Sequence, residues 1–392
     1  MSLLLAATYM VSYITRTNFG AIVSEVSHAT GIAKSMLSVP LTGSFITYGI
    51  GQLLSGILGD RVSPKKLVSL GLVITVAMNI LIPLCKEVWM MVAVWCVNGL
   101  AQAFMWPPIV RTMATLLSAE DYKKTATKVS SAGSVGTILV YLIAPLIISL
   151  VGWQGTFYFS AAAGVLMLVI WNHAAWDVQS KDGMPHQALD RGAFRVILSP
   201  LVLSILFLIV LQGMLRDGIT TWMPSFISES FHLGNEISIL TGVLLPVFSI
   251  GCMQFTNWLY RKKLTNPLFC AGLLFAIGAG FAGLLYFCCE GNAILSVLFS
   301  ALLTGCINGV NLLLISMVPP YFERYGNIST MSGILNSCTY IGSALSTYGF
   351  AAMSEGIGWK NTIFLWVLIA LVGGIVCLLC VQPWKKKFGI KE

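Results

Sequence analysis

Two arginines lie inside long apolar runs, at matching places in the two halves of the chain. Arg16 sits in the run 3–23 and Arg216 in the run 201–227. A guanidinium stays protonated and presents a rigid fork of N–H donors that fits the paired oxygens of a phosphate or carboxylate. Such a charge is costly in hydrocarbon, so it normally faces a wet cavity or a partner. Asp217 is the only acid close to either arginine in sequence. The economical partner is a bound anion, and the implied chemistry is recognition of an anionic solute. Tyr9, Tyr13 and Arg16 stand at i, i+4 and i+7, so they share one helix face. Tyrosine hydroxyls there can donate to anion oxygens.

The elements that position these residues must be membrane helices. The chain has 392 residues, of which 57% are hydrophobic and 10% charged, and its mean hydropathy is +0.84. A soluble chain averages roughly 25% charged residues. Twelve apolar runs are counted, at 2–24, 35–58, 67–85, 88–116, 127–150, 153–171, 200–228, 236–260, 267–288, 293–318, 328–353 and 361–382. Most approach or exceed the about 20 residues that a crossing needs. The expected class is an all-α membrane protein with twelve transmembrane helices and no soluble catalytic domain. An enzyme reading has no support, because His28, His173, His186 and His232 fall in loops or at span ends, none beside a nucleophile. The pair Cys377 and Cys380 lies inside the last run and reads as small core filler. No metal and no cofactor are expected.

The formal net charge of +8 is distributed by topology, not as a nucleic-acid footprint. With a cytoplasmic N-terminus, 17 of the 23 lysines and arginines fall on inside segments and 3, Lys34, Lys86 and Lys360, on outside loops. Arg16, Arg111 and Arg216 lie within spans. The positive-inside rule then places both termini in the cytoplasm of a cell bounded by this plasma membrane. No cleavable signal is expected, since the N-terminus lacks a basic region and Arg16 interrupts the first run. A short cytoplasmic segment ahead of residue 1 is expected to be missing.

The longest polar stretch runs from Asn172 to Arg195. It divides the chain into a first bundle of six helices, 1–171, a cytoplasmic central loop, 172–195, and a second bundle with its tail, 196–392. An internal echo supports that division. Gly152-Trp153 and Gly358-Trp359 are 206 residues apart, each with a glycine sixteen residues upstream, Gly136 and Gly342. Arg16 and Arg216 are 200 apart. They stand 15 and 16 residues into their segments, counted from residue 1 and from Pro200, which is about 22–24 Å of helix.

Motifs sharpen the reading. Gly56-Ile57-Leu58-Gly59-Asp60-Arg61, followed by Lys65 and Lys66, resembles the loop signature of the major facilitator superfamily, in which Gly56, Asp60 and Arg61 would serve a gating role. The counterpart at 257–263 lacks the acid. Four separated strings are more specific: Tyr9-x3-Tyr13-x2-Arg16-x-Asn18-Phe19, Trp106-Pro107-Pro108-x2-Arg111, Leu215-Arg216-x-Gly218-x3-Trp222-x-Pro224, and Tyr340-Ile341-Gly342. These resemble the organophosphate:phosphate antiporter family, over nearly the full length.

The resemblance implies a major facilitator fold of two pseudo-symmetric six-helix halves and exchange of an organophosphate for inorganic phosphate by alternating access. Arg16 and Arg216 would hold the phosphate, and Tyr9, Tyr13 and Tyr340 would line the pathway. The expected partners are those two small anions and the lipid bilayer, with no nucleic acid, and the carrier is expected to be a monomer. Asn18 faces away from Arg16 and reads as a packing residue, and Arg111 as a cytoplasmic anchor. The chain departs from the glycerol-phosphate branch at three places. Gln52 stands for a lysine, Gly133 for a histidine and Thr221 for an aspartate. On that basis Gln52 is expected to meet sugar hydroxyls, and the space beside Gly133 to be enlarged, favouring a sugar phosphate. Asp217 is expected to bond a neighbouring helix, or Arg16 in one state, rather than its own neighbour Arg216. The rival readings are a proton-coupled organic-anion symporter, for which Asp217 is the candidate acid, and a sugar-phosphate sensor of the same fold.

Overall fold

A computed structural model describes residues 1–32, 34–176, 198–231, 235–325 and 328–388. All its regular elements are helical. In chain order they are α1 (Ser2–Ala21), α2 (Val23–Thr30), α3 (Lys34–Arg61), α4 (Pro64–Leu81), α5 (Val88–Gln102), α6 (Trp106–Leu116), α7 (Ala119–Val151), α8 (Trp153–Ala174), α9 (Pro200–Phe231), α10 (Asn235–Lys262), α11 (Pro267–Cys288), α12 (Ala293–Asn311) and α13 (Ile328–Phe388). Among the described residues, ten helical segments are long and apolar enough to cross a membrane, α5 and α6 counting as one, Val88–Leu116.

The twelve-run count exceeds that by two. Neither α1 nor the first part of α13 is among the ten. Both are long helices with many hydroxyl and amide side chains. In hydrocarbon an unsatisfied polar group costs several kcal/mol, and several hydroxyls of the two helices meet that demand locally. Thr8 and Thr15 of α1 donate to the carbonyls of Leu4 and Val11. Thr17 donates to Tyr13. In α13, Ser343, Ser346 and Thr347 bond backwards in the same way. Large apolar side chains elsewhere point outward, Leu150 at 81% and Phe287 at 83% exposure, as a lipid-facing surface requires.

Backbone punctuation follows the sequence. The fourth apolar run breaks between α5 and α6, immediately before Trp106-Pro107-Pro108. Proline in the first helical turn forfeits no hydrogen bond. Gly152 and Gly358 of the two Gly-Trp pairs both take the left-handed φ, 78° and 84°. Each ends one helix and lets the next begin, and at Gly358 this breaks α13 internally. Only glycine adopts that φ cheaply.

The chain forms two compact units, residues 1–186 with 326–337, and residues 187–325 with 338–392. The loop expected at 172–195 falls mostly on residues outside the described set. In the first unit α1 packs along α7, α3 along α5, and α4 along α8. An aromatic cluster joins them, Phe19 lying edge-on to Trp95 at 5.3 Å and to Phe157 at 5.6 Å. In the second unit α12 packs against α9, α10 and α11.

Candidate functional site

Each unit seats one of the two arginines, and each seat is built in a comparable way. In the first unit a Cβ on Gly136 would meet the Met10 carbonyl at 2.5 Å and Tyr13 Cβ at 3.0 Å. In the second, a Cβ on Gly342 would strike the carbonyl of Val210 and approach the Met214 nitrogen to 2.9 Å. The missing side chains let α7 touch α1, and α13 touch α9, backbone to backbone. Met10 and Val210 each lie six residues before their arginine. The glycine echo in the sequence is thus a pair of close helix contacts, one beneath each cation.

Arg16 is half-buried. Its guanidinium carbon lies 4.2 Å from the Tyr13 ring centroid and 4.8 Å from that of Tyr48. An arginine held between aromatic faces gains about 0.5–2 kcal/mol per ring, depending on desolvation. The ring row continues from Tyr13 to Tyr9 at 5.1 Å, and from Tyr9 to Trp106 at 4.9 Å. Tyr9, Tyr13 and Arg16 therefore share a face, as the spacing requires. Tyr48, 2% exposed, was not singled out by sequence. Its signal was its position four residues before Gln52, on the same face of α3.

The depth and rotation of Arg16 are set through its neighbour Thr15. The Thr15 carbonyl accepts from Asn79 Nδ2 at 3.1 Å and from Asn98 Nδ2 at 3.3 Å, and its hydroxyl from Gln102 Nε2 at 2.8 Å. Asn18 adds bonds to Asn79 and Ser160, so its packing role is realised. Thr15, Asn18, Asn79, Asn98, Gln102 and Ser160 are at most 1% exposed. This polar spine was legible only as isolated amides within apolar runs.

On the matching backbone seat Arg216 meets different side-chain partners, and one expectation fails there. Its Nε donates to Asp217 Oδ1 at 2.6 Å and its Nη2 to Asp217 Oδ2 at 2.7 Å, a two-point pair between adjacent residues. Adjacent Cα–Cβ bonds on a helix diverge by about 100°, which argued against such a contact. The rule constrains Cβ atoms. An arginine side chain is long enough to fold its guanidinium back over the carboxylate. The other half of the expectation holds, since Asp217 Oδ2 also accepts from Ser343 of α13. Arg216 Nη1 donates to Asn311 Oδ1 at 3.1 Å, and the Tyr340 ring centroid lies 6.0 Å from its guanidinium. Asn311 ends α12, directly before a π-helical turn at Leu312–Met317, a distortion that often marks functional places. Sequence missed Asn311 and Ser343. An amide in an apolar run, and a serine three residues after Tyr340, were the available signals.

Two further expectations are corrected. Gln52 is fully buried, and both ends of its amide are engaged. Nε2 donates to the Ala103 carbonyl at 3.2 Å, and Oε1 accepts from Asn336 Nδ2 at 3.0 Å, all within the first unit. It ties helices together, with its amide bonded at both ends and shielded from solvent. Gly133 leaves no enlarged space either. A Cβ there would lie 2.9–3.1 Å from the Tyr13 ring, so the ring itself occupies the vacated volume.

Of the loop motif, Gly56 packs tightly, a Cβ on Gly333 falling 3.0 Å from its Cα. The side chains of Asp60 and Arg61 lie outside the described residues. Beside them Arg111 donates from Nη1 to the carbonyls of Gly59 and, at 3.3 Å, Val62. It caps the end of α3, where orphan carbonyls favour a cation. Cys377 and Cys380 are buried with free thiols. No cluster of three or more metal-ligating side chains occurs among the described residues.

With this geometry established, the chain's similarities are informative. A family model described as Major Facilitator Superfamily matches residues 5–347. A probable hexose phosphate transport protein of Chlamydia trachomatis is 21% identical over 94% of this chain and 88% of its own length. The membrane sensor protein UhpC of Salmonella typhimurium is 24% identical over 95% of this chain and 88% of its own. The glycerol-3-phosphate transporter of Bacillus subtilis is 24% identical over 94% and 89%.

Proposed function

The chain belongs to the major facilitator superfamily, and from that premise we infer that it exchanges an organophosphate for inorganic phosphate by alternating access. It is a multi-pass membrane transport protein rather than an enzyme. Arg16 and Arg216 are read as the groups that hold the phosphoryl oxygens. The observation that carries this is the repeated seat. Each unit spends a glycine-mediated helix contact to hold one arginine at the same remove, next to a tyrosine ring. Charge-assisted, two-point contacts from guanidinium groups suit a phosphate better than a neutral solute.

The sugar-phosphate assignment rests on the named relatives alone, since Gln52 and Gly133 no longer argue for it. Those relatives include hexose phosphate transport proteins. The full reading keeps twelve crossings in two six-helix halves, both termini cytoplasmic, and a monomer in the plasma membrane. Counterflow tests it. Proteoliposomes loaded with unlabelled phosphate should take up labelled phosphate, and external hexose phosphate should compete. Uptake independent of internal phosphate would sink exchange. A second reading follows if a bound anion displaces Asp217 from Arg216: a symporter in which the released carboxylate takes up the proton. Uphill accumulation driven by a pH gradient, without internal phosphate, would select it.

A further inference from the structure

We propose that Asp217 is a built-in counter-ion that occupies the phosphate-binding face of Arg216 and so sets the charge of anion the carrier prefers. The inference rests on the reading of Arg216 as an anion ligand. The carboxylate bonds Nε and Nη2 together, at 2.6 and 2.7 Å. That is the edge of the guanidinium which a phosphate would grip bidentately. The pair is part-buried, with side-chain exposures of 13% and 24%, so water screens it only partly. Ser343 Oγ holds the carboxylate from α13, and Asn311 Oδ1 takes Nη1 from α12. Both fix the pair in place without adding charge.

The consequence follows from counting charges. Arg216 and Asp217 sum to zero, so an anion meeting this pair is attracted much less than by the arginine alone. To reach the Nε–Nη2 edge it must displace the carboxylate, which stays one side chain away as a like charge. Coulomb energy is proportional to the charge of the solute. A dianion therefore suffers about twice the repulsion that a monoanion of the same shape does. Asp217 then lowers affinity for both and lowers it more for the dianion. It acts as a specificity-determining residue, and Arg216 remains the ligand.

The test uses two probes of matched shape. Hexose 6-phosphate is a dianion at pH 8, its second pKa being near 6, and hexose 6-sulfate is a monoanion. Each competes with labelled inorganic phosphate for the wild type, Asp217→Asn and Asp217→Glu in proteoliposomes. The phosphate-to-sulfate affinity ratio should rise roughly tenfold in Asp217→Asn, because the dianion gains about the square of what the monoanion gains. Asp217→Glu keeps the charge and should hold the ratio within about threefold of wild type. Asp217→Ser carries the same charge loss with a smaller side chain, should the carboxamide fail to insert. A ratio unchanged by Asn and Ser, with binding intact, overturns this inference alone. A shift in Glu equal to that in Asn also overturns it, since geometry and not charge would be responsible. A wild-type carrier that binds neither ester overturns it together with the functional reading.

Discussion

Arg16→Lys preserves the charge and removes the fork. The wild-type guanidinium carbon sits 4.2 Å from the Tyr13 ring centroid and 4.8 Å from the Tyr48 ring centroid. Contact with those two rings restrains where the group sits. An ammonium is a compact point charge on a flexible stem and cannot make the two-point contact. Losing one charge-assisted hydrogen bond to phosphate costs about 1.5–3 kcal/mol. At about 1.4 kcal/mol per tenfold, phosphate affinity should fall roughly 10- to 150-fold. The rings predict a companion result. Tyr48→Phe keeps the face that holds the guanidinium and should stay within about threefold. Tyr48→Leu removes it, and at about 1–2 kcal/mol should cost roughly 5- to 30-fold. The assay is the concentration dependence of labelled-phosphate counterflow, at equal reconstituted protein. Arg16→Lys within twofold of wild type would refute the reasoning, and so would Tyr48→Phe behaving like Tyr48→Leu.

The glycine contacts give a paired test: Gly136→Ala and Gly342→Ala should each lower the melting temperature by several degrees, as about 1–3 kcal/mol of overpacking implies, whereas Gly280→Ala, which meets nothing within 4 Å inside a helix, should leave it unchanged or raise it slightly. Asn79→Ala removes bonds to Thr15, Thr75 and Asn18; with about 0.6–2 kcal/mol per interhelical bond in membranes, thermal stability and counterflow rate should fall together, and an unchanged rate would deny the polar spine any part in placing Arg16. Topology is read by single cysteines in a cysteine-free background. Positions 123 and 262 should be shielded from an impermeant external reagent and position 86 labelled, and the opposite pattern would invert the assigned orientation.

Much of this protein was fixed by features that act over one helix turn or along the covalent chain. Apolar runs, the breaks at Trp106-Pro107-Pro108 and at the Gly-Trp pairs, and the shared face of Tyr9, Tyr13 and Arg16 all follow from helical period and backbone sterics. Family membership followed from short strings. The echo of Gly136 and Gly342 was visible as spacing, although its meaning as a backbone contact beneath each arginine needed coordinates. What tertiary structure decided was where side-chain ends go. Gln52 reads as a pathway amide until Ala103 and Asn336 are seen to take both of its ends. The room left by Gly133 is real in sequence and filled in space by a ring from another helix. Asp217 should have looked away from Arg216 by helical geometry, but the length of an arginine side chain defeats a rule written for Cβ atoms. Tyr48, Asn311 and Ser343 carried no motif of their own, since they matter only because separate helices bring them to Arg16, Arg216 and Asp217. Sequence sets the direction in which a side chain leaves its helix. The partner it meets depends on neighbouring helices and on its own reach, and those are properties of the folded chain.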